Sequence, residues 1–97
     1  NLDLAYNKIQ RLPEKFSDLK SLETLDLSYN ILKELSMSIL KLTSLKSLVL
    51  RDNYISKIPK LIGELKLLEL IDLRDNNLSE IPDSIKSLKD NGVRVLI

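Results

Sequence analysis

Asn7, Asn30, Asn53 and Asn76 lie 23 residues apart, and the residues around them repeat with the same spacing. The text leading into each is LDLAYN (2–7), LDLSYN (25–30), LVLRDN (48–53) and IDLRDN (71–76). Two residues beyond each asparagine stands Ile9, Leu32, Ile55 or Leu78, and three further on Leu12, Leu35, Ile58 or Ile81. Pro13, Pro59 and Pro82 come next, with Ser36 in the proline's place in the second unit. Phe16, Ile39, Ile62 and Ile85 follow, then Leu19, Leu42, Leu65 and Leu88, and Leu22, Leu45 and Leu68 open the succeeding units. A fixed period of this length marks one supersecondary unit stacked on copies of itself. No unit can bury its apolar face alone, so stacking is obligatory, and each unit needs only its neighbours.

Within a unit the pattern divides in two. Leu25-Asp26-Leu27 alternates, as a strand with one buried side requires. Repeated every 23 residues, such strands lie parallel, about 4.8 Å apart, with their leucines meeting inside. Ile85 and Leu88 are three apart, which suits a turn of α- or 3₁₀-helix on the return path, opened by Pro82 with its fixed φ. Ser36 gives the second unit a less rigid opening. The asparagine column turns the chain out of each strand, because an amide both donates to and accepts from backbone groups at a bend. Stacked, Asn7, Asn30, Asn53 and Asn76 form a structural polar ladder.

The spacing L-x-x-L-x-L-x-x-N-x-L, held from Leu2 to about Leu88, resembles the leucine-rich repeat family. The tail of the unit, Ile58 to Leu65 and Ile81 to Leu88, is similar to the intracellular 23-residue class found in Ras-group, Roco and microbial repeat proteins. The resemblance implies an α/β solenoid. Its right-handed superhelix forms a horseshoe arc, with a parallel concave sheet and short helical or 3₁₀ convex segments. Residues 1–97 form a single domain on this reading, with repeats starting near 2, 22, 45 and 68 and a terminal strand near 93–97. Val93, Val95 and Ile97 alternate there, delayed by about one residue after the Asn91-Gly92 turn.

Composition narrows the function. Fifteen basic residues face 14 acidic ones, a net charge of +1. Nucleic-acid binders and membrane-surface proteins show a clustered basic excess that this chain lacks. There is no cysteine and no histidine, which removes disulfides, thiolate metal sites and the commonest general base. No glycine-rich phosphate loop and no nucleophile beside a base is visible. The expectation is a non-enzyme without cofactor or metal. The absence of cysteine favours an intracellular, cytoplasmic setting, against one Asn-x-Ser sequon at Asn77.

A partner protein is expected on the concave face, where nothing in the core demands particular residues. Asp3, Asp26, Val49 and Asp72 form one row across the stack. Ala5, Ser28, Arg51 and Arg74 form the next, and Tyr6, Tyr29, Asp52 and Asp75 the third. Thr24, Ser47 and Leu70 lie on the entering side. Tyr6 and Tyr29 are expected to stack. Tyrosine and arginine are the types that dominate binding hot spots, and Val49 and Leu70 are apolar where water is expected. The candidate contact set is Tyr6, Asp26, Tyr29, Val49, Arg51, Leu70, Asp72 and Arg74. The bland counterpart is a solvated face whose charges pair between strands. Asp52 and Asp75 could share a cation, but hard metals need more oxygens than these supply.

The expected function is a scaffold or signalling module that binds a protein. A recognition arm of a larger enzyme, such as a Roco-type GTPase or ubiquitin ligase, is the alternative. A structural spacer that self-associates edge to edge is a third. The apolar termini, Leu2-Asp3-Leu4 and Leu96-Ile97, lack polar caps, which suggests a piece of a longer array.

Overall fold

The computed structural model describes all 97 residues. Five parallel strands form one sheet in chain order: β1 (Leu2–Asp3), β2 (Thr24–Asp26), β3 (Ser47–Val49), β4 (Leu70–Asp72) and β5 (Arg94–Leu96). Between them the chain returns through 3₁₀ turns at Glu14–Asp18 and Lys60–Glu64 and through helices α1 (Met37–Leu40) and α2 (Asp83–Asp90). Each coil therefore climbs one strand, turns, and returns along the opposite face to the start of the next strand.

Register confirms the period. Leu2 pairs with Leu25, Leu25 with Leu48 and Leu48 with Ile71, an offset of 23 each time. These central strand residues face inward; Leu25, Leu48 and Ile71 are at most 1% exposed. Leu27 and Leu50 join them two residues on, and Ile39, Ile62 and Ile85 close the core from the return side, all completely buried. Burying one such side chain contributes about 1.5–3 kcal/mol, so the aliphatic core of 21 residues supplies the main force holding coil to coil.

Pro13, Pro59 and Pro82 sit just before the return turns, in extended conformation with φ near −68°. Ser36 takes the same conformation without a ring, and α1 forms all the same. Its hydroxyl lies 2.8 Å from that of Ser38.

The last coil differs. Helix α2 runs eight residues and ends in a left-handed glycine, Gly92, at φ 87°. The Gly92 N–H donates to the Lys89 carbonyl and the Val93 N–H to the Leu88 carbonyl, both at 3.0 Å. That pair of bonds is a Schellman stop, with Leu88 and Val93 buried beside it. The stop inserts one residue, so β5 pairs with β4 at an offset of 24: Ile71 opposite Val95 and Asp72 opposite Leu96.

Candidate functional site

The bend after each strand is built by two adjacent columns. In the asparagine column, Asn53 Nδ2 donates to the carbonyls of Leu27, Leu50 and Arg51, and its Oδ1 accepts the Leu32 N–H at 3.0 Å. Asn30 repeats this with the Leu4, Leu27 and Ser28 carbonyls and the Ile9 N–H. Asn76 does so with Leu50, Leu73, Arg74 and Ile55. Asn30 and Asn53 are 4–5% exposed. Asn7 is exposed and bonds only within its own coil, to the Leu4 and Ala5 carbonyls. The buried part of the ladder is thus its two middle rungs, with Asn76 half-buried and Asn7 exposed.

One residue earlier, Tyr6, Tyr29, Asp52 and Asp75 all have φ between 57° and 60°. They are not strand positions, as the sequence suggested, but left-handed turn residues. Tyr6, Asp52 and Asp75 are exposed there, and Tyr29 is half-buried. A non-glycine residue in this region costs roughly 1–2 kcal/mol. Tyr6 and Tyr29 stack as expected, with ring centroids 4.3 Å apart and planes within 6°; Tyr6 remains 74% exposed.

The aspartate row corrects another expectation. Asp72 is only 5% exposed. Its Oδ1 accepts the Arg74 N–H at 3.1 Å and the Arg74 Nε at 2.9 Å, while its Oδ2 accepts Nη2 at 2.7 Å. Burial raises the Asp72 pKa, but the Arg74 hydrogen bonds and charge outweigh it, and the carboxyl ends below its ordinary value. The same bonds raise Arg74 further above its own. Asp26 Oδ1 likewise accepts the Ser28 N–H at 2.9 Å and the Ser28 hydroxyl at 2.6 Å, and Asp3 accepts the Ala5 N–H. These carboxylates hold the backbone two residues on, an Asx turn. Asp72 and Ser28, both buried, are therefore engaged in the fold. The local signal was present: an aspartate two residues ahead of a turn is a known turn-former.

What stays open on the concave face is narrower. Val49 and Leu70 are half-buried, and Arg51 is half-buried with its Nε 3.1 Å from Asp75 Oδ2 on the next coil. That exposed pair contributes little to stability. No three acidic side chains converge anywhere to hold an ion. Leu96, half-buried, falls in line with Val49 and Asp72 through the β4–β5 register. The one-residue delay at Asn91-Gly92 already placed it there, yet its side was not assigned from sequence. Val49, Leu70 and Leu96 so frame the Asp72–Arg74 pair with apolar surface.

Comparison with known proteins agrees with this architecture. The family model for leucine rich repeats matches residues 1–32 and 20–78. Nothing among the curated proteins matches. Among solved structures, the LRR protein LIC12759 of Leptospira interrogans is similar over 97% of this chain, at 33% identity and a TM-score of 0.84. This chain spans 24% of the length of that one. With the repeat columns, the register and the family model in agreement over more than half its length, the chain belongs to the leucine-rich repeat family.

Proposed function

We propose that this chain is a protein-interaction module of scaffold or signalling type, of the intracellular class, that takes a folded partner on its concave face. Leucine-rich repeats are typically interaction modules, and only a repeat domain is evident here. The observation that carries the reading is the apolar trio Val49, Leu70 and Leu96, half-buried on the face of the sheet where water is otherwise met by polar side chains. Arg51 and Arg74 stand at its edge with Tyr29, the residue types that anchor interfaces.

The test is affinity capture with wild-type chain beside an Arg51→Glu/Leu70→Glu variant. Arg74 is left alone, because a glutamate there would face the buried Asp72 carboxylate and unfold the coil. Circular dichroism first establishes that the variant folds. A partner retained by the wild type and lost by the variant supports the concave site. Equal retention by both removes it.

A further inference from the structure

The coils are internal controls for one another, because every position on one has counterparts at the same place on the others. Along the flank between strand and return helix, one coil departs from the rest. Seven residues beyond the asparagine stand Glu14, Lys60 and Asp83 in three coils, but Met37 in the second. One residue beyond the asparagine stand Lys8 and Asn77 in the outer coils, but Ile31 and Tyr54 in the middle ones. Met37 is 52% and Tyr54 53% exposed. The fold places charged or polar residues there elsewhere, so packing does not require these apolar ones.

They border a groove of about 1020 Å³ that runs across the first three coils. Its floor is Leu12, Leu35 and Ile31, and its apolar rim is Met37 and Tyr54. Arg11, Lys33 and Glu34 line it too, and none of the three belongs to an ion pair. Lys8 and Lys57 lie outside its lining, on the first and third coils. Its lining holds two cations, Arg11 and Lys33, against the single anion Glu34.

We propose that this flank is a second docking site, distinct from the concave face, for an extended acidic peptide segment carrying an apolar anchor residue. The anchor enters between Met37 and Tyr54, where a flexible thioether and an aromatic ring adapt to its shape. The carboxylates on either side meet Arg11 and Lys33. Unpaired cations at the rim steer an acidic ligand and disfavour a basic one.

Met37 is the only methionine, so a ¹³C-methyl-methionine label gives a single resonance at the groove. The probe is the hexapeptide Glu-Asp-Leu-Phe-Asp-Glu, blocked at both ends. Two controls accompany it: Lys-Arg-Leu-Phe-Arg-Lys, and Glu-Asp-Ser-Ser-Asp-Glu. The Met37 methyl is expected to move saturably with the first peptide and to respond at least about tenfold more weakly to either control. An Arg11→Glu/Lys33→Glu variant, altered at two exposed side chains, loses about tenfold in affinity. The Arg51→Glu/Leu70→Glu variant keeps it, which separates this site from the concave one. A methyl that stays still at millimolar peptide overturns the proposal. So does equal response to the basic peptide, or binding lost only with the concave-face variant.

Discussion

Asn53 and Asp52 are neighbours in sequence, and the columns they belong to obey opposite rules. The asparagine column is the same residue in every coil, because at the buried rungs each amide satisfies backbone groups that no water reaches. The column before it is fixed in backbone, with φ near 60° throughout, yet varied in side chain: Tyr, Tyr, Asp, Asp. One column spends its side chains on the fold. The other spends only its backbone, and so leaves its side chains to the surface. A repeat protein can carry a specific surface on a generic frame because these two demands fall on different residues.

The largest expected effect comes from breaking the first column. Asn53→Ala orphans the Leu32 N–H and removes a buried donor to three carbonyls, a loss of about 3 kcal/mol in urea unfolding. A loss below about 1 kcal/mol would mean that water enters the bend in its place.

Next is the clamped carboxylate. Asp72 has a depressed pKa in the folded chain, so its stabilising contribution is complete above its ordinary value of 3.8. It is lost as pH falls below that value towards the folded pKa, because the unfolded chain takes up the proton first. Asp72→Asn should cost about 1–2 kcal/mol at neutral pH and flatten the acid limb of a stability–pH curve. An unchanged acid limb would show that another carboxylate governs it.

Asn7→Ala should cost less than about 1 kcal/mol, since water replaces bonds at an exposed rung. Thermal unfolding of Asn7→Ala beside Asn53→Ala measures the contrast within one column. The smallest effect has the opposite sign. Asp52→Gly relieves a left-handed φ of 60° and should raise stability by about 0.5 kcal/mol, net of the added freedom of the unfolded chain. If Asp52→Gly destabilises instead, the side chains of that column share in holding the fold and the contrast fails.

The period, the strand register and the inward leucines were legible because each was written four times over. The asparagine bonds were legible for the same reason. What escaped were features that depend on direction rather than composition. Asp26 and Asp72 alternate correctly for a water-facing row, and nothing in the alternation says that a carboxylate folds back on the backbone two residues ahead. Tyr29 reads as a strand residue until its positive φ turns it to the rim. The flank groove escaped because its floor residues, Leu12 and Leu35, look like ordinary core in sequence.

The asparagine bonds also have a direction. Asn30 reaches the Leu4 carbonyl and the Ile9 N–H, Asn53 reaches Leu27 and Leu32, and Asn76 reaches Leu50 and Ile55. Each of these three rungs fastens to the coil made before it, never to the coil made after. As the chain leaves the ribosome, each new coil arrives carrying the group that latches it to structure already present. Growth from the N-terminus can then proceed one coil at a time, the newest bend always holding one open N–H, that of Ile9, Leu32 or Ile55 in turn, which the asparagine of the next coil closes.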